Sequence, residues 1–128
     1  MKTNRIIFLM TLVVLAFEGC KKDDPSPNAA LVNSWKEVSI VASGCTDPTE
    51  NESTTCTTSC ETLVISATTF SFDGNSFPYT VSGNTMSIEF MGTIYKVSFV
   101  ISGTSLTITS QDSLADGNCK NVSTYKKI

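Results

Sequence analysis

Histidine is absent from the 128-residue chain. With it go the commonest general base and the commonest metal ligand, so Ser-His-Asp and Cys-His catalysis and His-zinc sites are excluded. Basic charge is scarce as well: nine Lys and Arg against twelve Asp and Glu give a formal net charge of −3 and a pI near 4.8. Neutralising a phosphate backbone takes clustered cations, so nucleic acid is not an expected partner. Long apolar runs are missing too. The longest, Ile6–Phe17, rises about 18 Å as a helix against a bilayer core of about 30 Å, which disfavours a permanent transmembrane helix. The length has room for one domain of ordinary size.

What is present at the start is an address. Lys2 and Arg5 precede the apolar run, and Glu18-Gly19-Cys20 closes it, the three-part layout of a secretory signal peptide over residues 1–19. Phe17-Glu18-Gly19-Cys20 resembles the cleavage site of a bacterial lipoprotein, with Glu18 departing from the small residue usual there. That resemblance implies a diacylglycerol on the Cys20 sulfur and anchoring by two or three acyl chains, each buried CH₂ contributing about 0.8 kcal/mol. Residues 20–30 then form a tether, charged and proline-bearing from Lys21 to Pro27. Lys21-Lys22-Asp23-Asp24 is similar to the signal beside the lipidated cysteine of surface-exported Bacteroidota lipoproteins. The expected location is therefore the outer membrane, lipid-anchored, at the cell surface.

From Ser34 onward, 32 of 95 residues are Ser or Thr, and apolar positions recur with period two. Both features favour strands, and no stretch has the period of a three-turn amphipathic helix. Turn signals at Gly74, Gly83, Gly92, Gly103 and Gly117 are spaced 9, 9, 11 and 14 residues apart. Connections this short join antiparallel neighbours. The expected fold is all-β: a small up-and-down antiparallel eight-stranded barrel, with strands near 35–42, 61–66, 68–72, 76–82, 85–91, 93–101, 104–110 and 121–127. Closing the sheet removes its edges.

The residues Leu31-Val32-Asn33-Ser34-Trp35-Lys36-Glu37-Val38 resemble the opening Leu-x-Gly-x-Trp strand of the lipocalin-like domains of Bacteroidota lipoproteins, with Asn33 in place of Gly. Tyr125-Lys126-Lys127-Ile128 is similar to that family's closing strand. The resemblance covers residues 31–128 and implies a calycin-type barrel whose closed end is plugged by Trp35. A basic residue of the last strand, Lys126 or Lys127, would pack over it.

Apart from Cys20 the chain holds Cys45, Cys56, Cys60 and Cys119, an even number behind an export signal, so disulfides are expected. In a closed meander the first and last strands are neighbours, which favours Cys45–Cys119 with Cys56–Cys60. Cys45–Cys56 with Cys60–Cys119, or the crossed pairing, stays open. A bridge from Cys45 to Cys119 would close a loop of about 75 residues and contribute about 4 kcal/mol by chain entropy.

For function, an eight-stranded barrel has an interior wide enough for side chains or one small ligand. Phe70, Phe72, Tyr79, Met86 and Phe90 are the candidate lining of such a cavity, with Phe77 and Ile88 also bulky enough to fill it. Two readings follow. In one, the barrel binds a small apolar or amphipathic molecule; in the other it is filled, and its loops contact an envelope protein or glycan. The aperiodic stretch Ser43–Ser59 reads as a loop over the barrel mouth. Asp47, Glu50 and Glu52 in it could offer oxygen ligands to Ca²⁺, but their spacing matches no cation loop, and no metal or cofactor is expected. Asp112-Ser113-Leu114 resembles the O-glycosylation acceptor of Bacteroidota, which would place a glycan on Ser113. No carboxylate pair is set on one face by spacing, so no catalytic residue and no enzyme activity is expected. The expected partners are the membrane, through Cys20, and a small apolar ligand, and the barrel is expected to be a monomer.

Overall fold

The computed structural model describes residues 29–111 and 117–128. Cys20, residues 21–28 of its tether and Ser113 lie outside the described residues. The strands are β1 (Asn33–Ser43), β2 (Glu52–Thr55), β3 (Thr62–Ile65), β4 (Thr69–Phe72), β5 (Asn75–Ser82), β6 (Thr85–Phe90), β7 (Thr93–Ser102), β8 (Ser105–Gln111) and β9 (Lys120–Lys127), with one 3₁₀ turn at Pro48–Glu50. Every pairing is antiparallel, in the order β1-β3-β4-β5-β6-β7-β8-β9, and β9 returns to β1. This is the expected closed eight-stranded up-and-down barrel, with β2 as a short addition.

Two-residue loops fix the register of the hairpins. Phe72 faces Asn75 and Phe90 faces Thr93 across Asp73-Gly74 and Met91-Gly92, where both loop residues have positive φ. Both central residues of a type I′ turn must adopt that conformation, because its twist matches that of the flanking strands. Asp73 suits it. Met91, at φ 49° and 89% exposed, does so at a steric cost.

The seam between β1 and β9 runs from Trp35 opposite Lys127 to Ser43 opposite Lys120, with a β-bulge between Glu37 and Ser39. Just beyond its last pair, Cys45 is bonded to Cys119 with the Cα atoms 4.1 Å apart. The bridge therefore pins the first strand to the last, as the closed topology requires. Cys56 is bonded to Cys60.

The second bridge explains a departure from expectation. Residues 43–59 do not form a loop throughout: Glu52–Thr55 runs back along Ser39–Ala42 as β2. All four of its residues are exposed. With no apolar face to bury, β2 leaves no period-two signal in the sequence. Thr55 pairs with Ser39 and Thr62 with Lys36, so β2 and β3 follow β1 as one strand interrupted by an excursion. Hydrogen bonds from Cys56 N to the Val38 carbonyl (2.8 Å) and from Glu37 N to the Glu61 carbonyl (2.9 Å) bracket it. The Cys56–Cys60 bridge staples the base of that excursion.

The core occupies one end of the barrel: Leu31, Trp35, Leu63, Ile65, Phe70, Tyr79, Met86, Leu106 and Ile108. Trp35 is 1% exposed, and its indole N–H donates to the Leu31 carbonyl at 3.0 Å, so the polar edge of this plug is satisfied. Directly opposed residues share a face, which puts Lys127 on the Trp35 side of the sheet. Lys126 faces Lys36 on the outer side.

Candidate functional site

The same register defines what faces the other end. Because Met86 opposes Val97 and Ile88 opposes Tyr95, the inward row of β6 continues to Phe90 and that of β7 back to Tyr95. On β4 and β5 it carries Phe70, Phe72, Phe77 and Tyr79. The five rings Phe70, Phe72, Phe77, Phe90 and Tyr95 form a chain across four strands, with successive centroids 5.8, 5.3, 5.1 and 6.3 Å apart. Spacings and tilts of this kind are favourable for aromatic pairs. Yet Phe72, Phe90 and Tyr95 are 36%, 39% and 53% exposed. A cavity of about 300 Å³ lies among Phe72, Phe77, Ile88, Phe90 and Tyr95. That size is the lower end of ordinary ligand pockets.

A second cavity, of about 230 Å³, is lined by Glu61, Leu63, Phe70, Phe72 and Tyr125. Phe72 belongs to both. Among the described residues β2 pairs only with β1, so no ladder closes the wall between β2 and β4 beside Phe72.

The polar side of this second cavity, Glu61 and Tyr125, belongs to a row that also holds Glu37. Glu37 opposes Tyr125 on β9, and its backbone N–H bonds the Glu61 carbonyl one step before the Lys36–Thr62 pair. By that alternation Glu61, Glu37 and Tyr125 all face inward, next to the Leu63-Trp35-Lys127 row. Electrostatics follow the geometry. Burial, then the neighbouring charges of Glu37 and Asp73, push the Glu61 carboxyl up from the ordinary range. Burial first, then Glu61 and Glu37, push the Tyr125 phenol up to about 12 against a hydrogen bond from Ser123. Tyr125 is thus a neutral hydroxyl at neutral pH.

No described protein family, curated protein or solved structure matches the chain. The site must therefore be read from its own geometry.

The candidate lining residues divide. Phe72 and Phe90 line the open half, whereas Tyr79 and Met86 are buried in the core, where the Tyr79 hydroxyl donates to the Ser66 carbonyl at 2.6 Å. Phe70 does both, buried in the core and forming the floor of the second cavity. Tyr95, Glu37, Glu61 and Tyr125 were not among the candidates. Two-residue alternation from Trp35 reaches Glu37 and would have flagged it; Glu61 needed the excursion to be placed.

The acidic residues of the 43–59 stretch do not converge. The Asp47 carboxylate accepts from Thr49 N (2.9 Å) and Thr49 Oγ1 (2.7 Å), bonds that cap the 3₁₀ turn and hold its pKa below the usual range. Glu52 accepts from Thr54 Oγ1. Glu50 instead lies beside the Cys45–Cys119 bridge, whose sulfurs, bonded to each other, are not thiolate ligands.

Proposed function

We propose that this protein is an exported, lipid-anchored barrel that holds a small apolar or amphipathic molecule in its open half and carries out no catalysis. The observation that carries this reading is the aromatic cavity: four rings and Ile88, three of the rings more than a third exposed, line about 300 Å³ on the inner face of a barrel whose other end holds the buried core. Exposed rings gathered in a concavity cost solvation that a bound apolar molecule recovers. A filled barrel with only surface contacts would have no use for them.

The address comes from the sequence. Gly19-Cys20 after a twelve-residue apolar run, and Lys21-Lys22-Asp23-Asp24 behind it, support a diacylglyceryl anchor and exposure at the surface of an outer membrane. The two disulfides suit an oxidising compartment. The resemblance of the Trp35 segment to lipocalin-like domains agrees with the binding role.

Two measurements test the reading. Mass analysis of the mature N-terminus should find a diacylglyceryl group on Cys20, and a free thiol there rejects the anchor. Nile red should gain fluorescence on binding the purified chain and lose it in the Phe77→Ala, Phe90→Ala double variant. A wild-type chain that leaves the dye dark, with no co-purified molecule in native mass spectrometry, favours the filled-barrel alternative.

A further inference from the structure

We infer that the open half of the barrel is built for an amphipathic organic cation, with the apolar body against the rings from Phe72 to Tyr95 and the ammonium group at Glu61 and Glu37. This rests on the ligand-binding reading above and adds the charge of the ligand.

Three observations converge on it. First, Glu37 and Glu61 are cross-strand neighbours on one face. Like charges in that arrangement destabilise a sheet. The charges acting on Glu61 are Glu37 and Asp73, both negative. Second, no lysine lines either of these two cavities. Lys36 and Lys126 oppose each other on the outer face, and Lys96 opposes Ser87, out of phase with inward Met86 and Ile88. Lys120 opposes Ser43, out of phase with the inward row of β9, and Lys127 faces inward opposite Trp35, one row from Tyr125. Third, the acidic cavity and the aromatic cavity meet at Phe72. A molecule lying across Phe72 would place an apolar body on one side and a charged head on the other. Ring faces themselves attract an ammonium group. A carboxylate or sulfate head there would lie beside Glu61 and its neighbour Glu37.

The test is calorimetric titration of the full oxidised chain with three ligands sharing one alkyl tail: decyltrimethylammonium, decanol and decyl sulfate, each below its aggregation threshold. The ammonium compound should bind roughly tenfold or more tighter than the sulfate, the scale of one charge-assisted contact in a partly solvated site. Glu61→Gln and Glu37→Gln should each reduce that preference, and Phe90→Ala should weaken all three ligands together. Equal binding of the three, or a preference that survives both glutamine substitutions, overturns the charge assignment and leaves the ligand-binding barrel standing. Failure of all three to bind removes the ligand-binding reading itself.

Discussion

Removing the Cys45–Cys119 bridge should cost the protein more stability than removing Cys56–Cys60, although both join strands on the same sheet. The perturbation is a pair of double variants, Cys45→Ala with Cys119→Ala and Cys56→Ala with Cys60→Ala. The first bridge spans a sequence separation of 74 and the second a separation of 4. In the chain-entropy model the freedom withheld from the unfolded chain grows with the logarithm of loop length, giving about 4 kcal/mol for the long loop and about 2 kcal/mol for the short one. For a domain of this size each kcal/mol moves the melting temperature by about 4–8 °C, so the first variant should melt roughly 15–30 °C lower and the second about half as far. Cys45 and Cys119 are buried whereas Cys56 and Cys60 are only half-buried, so the lost sulfurs push the difference in the same direction. Urea unfolding of both variants, with the reduced wild-type chain as reference, measures it. Reduction should cost about as much as the two pairs together, because the bridges share no partners. Equal losses, or a larger loss from the Cys56–Cys60 pair, would refute the seam argument.

Trp35→Ala should cost about 3–5 kcal/mol as a core truncation, and Trp35→Phe about 1–3 kcal/mol, because it leaves the buried Leu31 carbonyl without the indole donor; a loss under 1 kcal/mol for either in thermal melts would remove Trp35 as the plug. Met91→Gly should stabilise by about 1 kcal/mol, since glycine adopts the positive φ of that turn without the steric cost methionine meets there; urea midpoints check it. Glu61 has a folded pKa raised above its ordinary 4.5, so the folded chain holds this proton more tightly than the unfolded chain, and its contribution to stability falls as pH rises through that window. Glu61→Gln should therefore raise the melting temperature at pH 7 and flatten its dependence on pH just above 4.5; an unchanged slope would show that the carboxyl is not perturbed.

Most of the barrel was legible because its inward faces are apolar and its outward faces polar. Phe70-Ser71-Phe72, Met86-Ser87-Ile88 and Leu106-Thr107-Ile108 each announce a strand and its buried side together. Topology favoured Cys45–Cys119 over the pairings left open, because the first and last strands are neighbours, and the structure has that bridge. What escaped had no such contrast. Glu52–Thr55 is exposed on both faces, and its pairing depends on a β-bulge at Val38 and an excursion at 57–60 that only three-dimensional closure requires. The same two irregularities hid the site, because the inward position of Glu61 cannot be counted through an excursion of undetermined length. Tyr95 was missed for a different reason: its strand alternates with only a partly polar outer face, Ile94, Lys96, Ser98 and Val100, and its place beside Phe90 came from the register of β6 against β7.

The departures from local rules share one location. At the Trp35 end every preference agrees: apolar side chains are buried, the indole has its acceptor, and among the described residues no buried side-chain polar atom lacks a partner. At the other end a methionine occupies a left-handed turn, two carboxylates face each other across strands, three aromatic rings stay partly exposed, and the wall beside Phe72 is left open. Each costs stability, and none is needed to close the barrel. Rule-breaking of this kind is tolerated where it serves binding, with the rest of the fold compensating. The two halves should then respond oppositely to substitution. Changes at Trp35 or Met86 should lower the melting temperature and leave ligand preference intact. Glu61→Gln should raise it while altering what the open half binds.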